Sequence, residues 1–336
     1  MNKKSYINRV AHYHPDGVID NSLFENHLDT TSEWIESRVG IRTRRFLDDY
    51  TGDFPVFELC KRVVLKLQED GNWNADNVDL IISCSSLDDL SYPGPANMIS
   101  EFLGRDVPAF HLKNACSSVV YAIEVARSML QSGRYREILI VNGEPFTRHA
   151  DYGDRNSCIL FGDGASALVL SANPSGFEIL DCEIGGKGLM LVSSTRTSET
   201  SHISVTDFVS GEVNGPQNSY KKFEQDGRQV FKFVLKNLPG PILAFMERNG
   251  ESNQSINYAI FHQANLLMMN SLCERVGISS EKHLYNIDQF GNTSSAGWVT
   301  VLSEAEKLSK FKQEENVLVS VMGGGMTWGN LLLRRI

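Results

Sequence analysis

The chain has 336 residues, 41% apolar and 22% charged, which suits one large or two ordinary globular domains and excludes disorder, collagen-like repeats and coiled coil. With 32 Lys and Arg against 41 Asp and Glu, the net charge is −9, so nucleic acid and anionic membrane are poor partners. No run approaches the ~18 continuous apolar residues of a membrane span, and the polar first 17 residues lack a signal peptide's apolar core, so a cytoplasmic protein is expected.

Short apolar runs alternate with helical patterns, which reads as α/β with a buried, largely parallel sheet. In chain order, strands are predicted over 78–84, 109–112, 137–142 and 166–170. A helix is predicted over 117–131, where Val120, Ile123, Ala126 and Leu130 recur at helical spacing. Beyond Asn173-Pro174, strands follow over 177–184, 258–262 and 317–321, with a helix between Asn292 and Lys307. The two parts repeat one pattern. Cys84 ends a strand 32 residues before Cys116, and His262 ends one 30 residues before Asn292. Each later residue leads into a helix and another strand. This implies a duplicated α/β unit with halves 1–173 and 174–336. The stretch 192–218 fits neither half and reads either as a solvated loop or as an insertion covering a substrate entrance.

Six cysteines, at 60, 84, 116, 158, 182 and 273, show no CxxC and no metal-like spacing against the eight histidines. Neither a metal site nor a disulfide framework is expected. Most of these cysteines sit in apolar stretches, where they read as small buried hydrophobes. Cys116 differs: it lies in Lys113-Asn114-Ala115-Cys116-Ser117-Ser118, small polar residues between a strand and a long helix. The positive end of that helix is expected to favour a thiolate.

His262 follows a strand and opens His262-Gln263-Ala264-Asn265, and Asn292 sits in Phe290-Gly291-Asn292-Thr293-Ser294. Taken singly, such a histidine is more often structural and such an asparagine a cap or turn residue. Cys116, His262 and Asn292 all fall at strand ends or the turns after them, the edge where open α/β sheets build sites. Gly323-Gly324-Gly325, after a buried strand, would let the backbone approach a ligand and aim N–H groups at it. No Gly-Lys-Ser/Thr follows, so a P-loop is excluded. Phe161-Gly162-Asp163-Gly164 reads as a structural glycine turn.

Six motifs in order span nearly the whole chain. They are Ser32-Glu33-Trp34-Ile35-Glu36-Ser37-Arg38-Val39-Gly40-Ile41-Arg42, Asn114-Ala115-Cys116-Ser117, residues 161–167, His262-Gln263-Ala264-Asn265, Gly291-Asn292-Thr293-Ser294 and residues 323–329. Their succession resembles β-ketoacyl-acyl-carrier-protein synthase III, the initiating condensing enzyme of the thiolase superfamily. The resemblance implies a thiolase-like five-layered αβαβα fold built from two duplicated halves, and a homodimer. It implies Cys116 as the nucleophile that takes an acyl group from acyl-CoA. His262 and Asn292 would be the pair that hydrogen-bonds the thioester carbonyl of an incoming malonyl unit, carried by acyl carrier protein or CoA. The backbone N–H groups of Cys116 and Gly324 would form the oxyanion hole for acylation. Trp34, Arg38, Arg155, Gly227 and Asn265 match positions that hold coenzyme A or its pantetheine arm. The thioesters are substrates; no cofactor and no metal are implied.

Some positions depart from the family pattern. Ser118-Val119 replace a usual Gly-Phe, Leu267 replaces a basic residue associated with carrier docking, Arg228 replaces an Asn, and Glu144 stands where Ser is common. These departures favour a specialised relative, such as a resorcinol, quinolone or polyketide ketosynthase, over the housekeeping fatty-acid initiator. Competing readings are a non-decarboxylating acyltransferase on the same fold, a papain-like protease and a non-catalytic partner subunit. The first often carries Asp at the place of Asn292, the second lacks its local cysteine signature here, and the third would not need Cys116, His262, Asn292 and the glycines together.

Overall fold

The computed structural model describes residues 4–69, 73–196, 205–211 and 221–336. Among these, ten strands form one sheet. They are β1 (Tyr6–Tyr13), β2 (Leu80–Ser83), β3 (Ala109–His111), β4 (Glu137–Pro145), β5 (Asp163–Ser171), β6 (Phe177–Gly186), β7 (Tyr258–Phe261), β8 (His283–Leu284), β9 (Asn316–Gly323) and β10 (Thr327–Arg335). Their spatial order is β3-β2-β4-β5-β1-β6-β10-β9-β7-β8. Adding five to each strand of the first half gives the second half, read inward from its own edge. The chain crosses from one half to the other between β5 and β6, past Asn173 and Pro174.

The sheet is less parallel than the apolar runs suggest. β2 runs parallel to β3 and β4, and β7 to β8 and β9. Every pairing from β4 through β5, β1, β6 and β10 to β9 is antiparallel. Continuous apolar runs signal burial on both faces, and here layering, not strand direction, causes that burial. The two halves meet along a short seam, where β1 pairs β6 at Tyr6–Glu178 and Ile7–Phe177.

Seven helices matter for the site: α1 (Ser32–Val39), α2 (Pro55–Glu69), α3 (Ser118–Gln131), α4 (Gly227–Asn237), α5 (Pro239–Arg248), α6 (Leu266–Val276) and α7 (Gly297–Lys307). α3 packs on β4 and β5 of the first half and on β6 and β10 of the second; α7 packs on β1, β5 and β7. These two helices therefore form the inner layer between the half-sheets. Their sequences fit that place: α7 buries Trp298, Val299, Val301, Leu302 and Ala305 nearly all round. α2 turns one apolar stripe, Val56, Leu59, Val63 and Leu67, onto the outer face of the first half. α4, α5 and α6 pack together against the outer face of the second half. The layers run αβαβα, as the resemblance implied.

The stretch 192–218 is no simple loop at its stem. Val192–Arg196 pairs antiparallel with Lys221–Gln225, and a helix over Val205–Ser210 buries Phe208 against Phe24 and Tyr152. Residues 197–204 and 212–220 lie outside the described residues.

Buried histidines make this fold acid-sensitive. Burial holds His12 down at about 4, His14 at about 3 and His283 at about 4, against an ordinary value of 6.5. His14 stacks on Phe290 at 3.9 Å between ring centres. A histidine with a depressed folded pKa binds more protons when unfolded. Its share of stability is complete above about pH 6.5 and is lost as pH falls toward 4. Asp163, raised by burial to about 6, works in the opposite sense between roughly pH 4 and 6. Burial raises the carboxyls of Asp89, Glu137, Glu144, Glu304 and Glu306 in the same sense as Asp163, and four histidines, with His262 also held at about 4, act against them. The urea midpoint is expected to fall from pH 7 to pH 5; a flat or rising midpoint would contradict this.

Candidate active site

Two strand-to-helix turns converge at the centre of the molecule. One is the 3-10 turn Ala115–Ser117 that leads into α3; the other is Ser294–Ala296 that leads into α7. Each begins with a non-glycine residue in the left-handed region, Ala115 at φ 48° and Ser294 at φ 53°. Such conformations cost energy in L-residues and cluster at functional sites. The two turns match each other three residues before their helices. The counterpart of Cys116 is therefore Ser295, not Asn292, which stands three residues further upstream. The spacing agrees: Ser295 stands 33 residues after His262, against 32 from Cys84 to Cys116, whereas Asn292 stands 30 after it.

Cys116 is half-buried, while Cys60, Cys84, Cys158, Cys182 and Cys273 are buried. The Ser294 hydroxyl donates to Cys116 Sγ at 3.3 Å. Burial pushes the thiol up to about 12, against the pull of the Ser294 hydrogen bond, and the charge of Glu144 pushes the same way. Burial thus works against the thiolate that the helix end is expected to favour.

His262 follows β7 directly, and burial holds its imidazole down at about 4, so it is neutral near pH 7. Its Nδ1 is buried with no hydrogen-bond partner among the described residues. Gln263 ties this strand end to the second half, donating to Phe261 O at 2.7 Å and accepting from Asn286 N at 3.2 Å. Asn292 is clamped on both sides of its peptide unit: its N–H donates to Leu160 O at 2.8 Å, and its carbonyl accepts from Gly162 N at 3.2 Å. Its side-chain oxygen accepts from Ser294 N at 2.9 Å, which leaves the NH2 as the free end of the amide. The glycine turn at 161–164 therefore holds Asn292, and a side chain on Gly162 would strike Phe290 O.

The triple glycine does something the sequence did not suggest. A Cβ on Gly323 would lie 2.9 Å from Ser117 N and 3.0 Å from Asn114 O, so Gly323 lets the end of β9 press against the Cys116 turn. A Cβ on Gly324 would meet only ordinary contacts with Val192.

A cavity of about 1460 Å³ joins these parts, lined by Cys116, His262, Asn292 and Gly324, with Trp34 and Arg38 among the other residues around it. Gly227 and Asn265 line it too. Asn265 also caps α6, its Oδ1 accepting from Met268 N at 3.1 Å, and its Nδ2 donates to Arg38 O at 3.1 Å. Arg155 is not in the lining; its guanidinium lies 5.2 Å over the Trp34 ring and donates to Asp29 O. The stem of the 192–218 stretch contributes Val192, Ser193, Phe223 and Gln225 to the wall. Among the described residues, no group of His, Cys, Asp and Glu could hold a metal ion, and no helix is long and apolar enough to cross a membrane.

Known proteins are similar to this chain in sequence and fold. Residues 110–188 match the family model for 3-oxoacyl-[acyl-carrier-protein] synthase III, and residues 246–335 match the model of its C-terminal part. The β-ketoacyl-[acyl-carrier-protein] synthase III of Oceanobacillus iheyensis is 32% identical over 326 residues, 97% of each chain. The solved 3-oxoacyl-[acyl-carrier-protein] synthase III of Aquifex aeolicus superposes with a TM-score of 0.83 at 30% identity, covering 98% of this chain and 99% of that one. In fold alone, the priming β-ketosynthase of the R1128 polyketide pathway is also similar, with a TM-score of 0.85 at 24% identity over 99% and 97% of the two chains.

Proposed function

Since this chain belongs to the 3-oxoacyl-[acyl-carrier-protein] synthase III family, we propose a division of labour for the residues around its cavity. The enzyme is a condensing acyltransferase of that type. Cys116 takes the acyl group from acyl-CoA as a thioester, with the N–H groups of Cys116 and Gly324 stabilising the oxyanion of the transfer. Free CoA leaves and a malonyl thioester enters. Its carbonyl accepts hydrogen bonds from the His262 Nε2–H and the Asn292 NH2. Loss of CO2 then places negative charge on that oxygen, where the two neutral donors stabilise the enolate. The enolate carbon attacks the acyl carbon on Cys116, and the 3-oxoacyl product departs. This chemistry calls for no metal or prosthetic group.

The carrying observation is the meeting of the half-buried cysteine, a neutral histidine and an asparagine with its acceptor end pinned, all in one cavity. Trp34, Arg38, Arg155, Gly227 and Asn265 are the proposed contacts for the CoA or pantetheine arm. A cytoplasmic location fits a nucleophile that works as a reduced thiol. The halves 1–173 and 174–336 are proposed as two copies of one unit, on the repeated strand order. The direct test loads the enzyme with an acyl-CoA, adds a labelled malonyl thioester and measures CO2 with product. Transfer without CO2 release would favour the non-decarboxylating reading.

A homodimer is proposed through β3, which pairs β2 and leaves its other side as a sheet edge. Leu90 and Tyr92, in the loop between β2 and β3, are exposed, Tyr92 at 86%. Unpaired edges with apolar neighbours invite a second chain. Sedimentation at micromolar concentration is expected to give a dimer; a monomer would sink the proposal.

Docking of an acidic carrier protein must overcome the net charge of −9. Lys232 and Lys236 lie one turn apart on α4, which packs against α6, where Leu267 is 44% exposed in the place of the family's basic residue. Leu267→Arg is expected to raise kcat/KM for a malonyl-carrier substrate at low salt and to lose that gain as salt rises. A salt-insensitive preference for malonyl-CoA, unchanged by the substitution, would refute docking at this face.

A further inference from the structure

Glu144, in β4, is fully buried, yet the reaction above gives it no part. Its Oε1 accepts from the Ser86 hydroxyl at 3.0 Å, from Asn142 Nδ2 at 3.0 Å and from the Ser295 hydroxyl at 2.6 Å; Ser86 N–H donates at 3.0 Å to Oε1 and 3.2 Å to Oε2. All these donors are neutral. Ser86 Oγ also lies 2.7 Å from Ser294 Oγ, the hydroxyl that contacts Cys116 Sγ. A continuous path thus runs Cys116 Sγ, Ser294 Oγ, Ser86 Oγ, Glu144 Oε1, with steps of 3.3, 2.7 and 3.0 Å.

Counting protons shows what the path can do. Three contacts need three hydrogens, and the two serines supply two. The third comes from one end. If the thiol holds it, and the Ser294 hydroxyl turns its hydrogen from Cys116 Sγ to Ser86 Oγ, every donor along the path points toward the carboxylate. If the carboxyl holds it, every donor points toward sulfur. The two arrangements differ only by moving each of the three protons one step.

We propose that Glu144 receives the Cys116 thiol proton through Ser294 and Ser86, and that this relay makes the nucleophilic thiolate. The proposal rests on the reading of Cys116 as acyl acceptor. In the forward step the S–H bond breaks as Ser294 Oγ takes its proton. Ser294 passes its own proton to Ser86, Ser86 passes its own to Glu144, and the carboxylate becomes a carboxylic acid. The thiolate attacks the acyl carbon and expels the CoA thiolate. When condensation later breaks the C–S bond, Cys116 leaves as thiolate and the same proton returns from Glu144, so none is consumed. Ser294 touches the reacting sulfur; Ser86 and Glu144 act through it as positioning residues.

Burial acts on both ends of the path: it raises the Glu144 carboxyl, making it a better proton acceptor, and it raises the Cys116 thiol, making it a weaker acid that needs an acceptor close by. Cys84 at the end of β2, Cys60 on α2 and Cys116 all feel the Glu144 charge, and Asp89 lies beyond Cys60. None of these is a cation that would hold Glu144 ionised.

An internal transfer leaves the number of bound protons unchanged, so the thiolate it makes does not depend on pH, whereas loss of the proton to solvent does. The test is the rate of Cys116 alkylation by iodoacetamide between pH 6 and 10, read by peptide mass spectrometry. The wild type is expected to react at a nearly constant rate from about pH 7 to 9. Glu144→Gln and Ser86→Ala are expected to climb about tenfold per pH unit and to be on the order of 10²-fold slower at pH 7. Ser86→Thr, which keeps the hydroxyl, is expected to restore the plateau. A merely structural role would scale every profile by one factor, and parallel profiles, or an unchanged Glu144→Gln, overturn the relay. Ser86→Ala keeps the Asn142 and Ser295 bonds to the carboxylate, so it decides the matter should Glu144→Gln not fold. Wild-type alkylation at a cysteine other than Cys116 would instead overturn the assignment of the nucleophile.

Discussion

Cys116→Ala is expected to fold normally and to accumulate no acyl adduct from acyl-CoA. The side chain is half-buried beside a cavity, so its truncation removes little packing. No other thiol can replace it. The remaining five cysteines are buried, and burial raises each of them above the ordinary thiol range. Removing a covalent nucleophile costs on the order of 10⁶ in turnover in a well-studied protease, and a loss of that size is expected in product formation. Slow CO2 release from a malonyl thioester should persist, because the His262 and Asn292 donors remain. Intact-mass measurement with acyl-CoA reads the first outcome and labelled CO2 the second. An acyl adduct on the variant would show that the nucleophile lies elsewhere.

Asn292→Ala is expected to separate the half-reactions in the opposite way. Its NH2 serves the enolate oxygen, not the acylation step, so acylation of Cys116 should proceed at close to its normal rate. Decarboxylation and condensation should slow by about 10²–10³, the usual cost of one oxyanion donor. Asn292→Asp should be at least as damaging, since a carboxylate there would repel the enolate. The backbone hydrogen bonds that hold residue 292, to Leu160 O and from Gly162 N, do not depend on its side chain. Equal damage to both half-reactions would assign Asn292 a structural role.

Much of this site could be read before the fold was known, for an identifiable physical reason. Cys116, His262 and Asn292 each sit at a local junction of strand and turn, and such junctions leave a pattern within about ten residues of sequence. β1 and β10 carry no such pattern, because Tyr6–Tyr13 mixes polar and apolar residues and the glycines around 323–325 hide the strand behind them. The clamp of Leu160 and Gly162 on Asn292 leaves no local pattern, because the two segments are far apart in the chain. The same holds for the path through Ser86, Glu144 and Ser294, three residues on three different segments. The state of the thiol is hidden for a related cause. A helix end is visible locally, but burial, which raises the thiol, comes from the whole assembly.

The short seam between β1 and β6 has a mechanical consequence. Two residue pairs join two stiff plates, one carrying Cys116 and the other carrying His262 and Asn292. A hinge so thin cannot by itself fix the gap between a nucleophile and the donors opposite it. That gap is set by the filling, α3 and α7, wedged between the plates with Trp298 fully enclosed, together with the hydrogen bonds that tie Asn292 to Leu160 and Gly162 of the first plate and Ser294 to Cys116. Catalytic alignment in this molecule is therefore a property of its innermost packing, and loosening that wedge would blur the spacing of the reacting groups well before the plates themselves came apart.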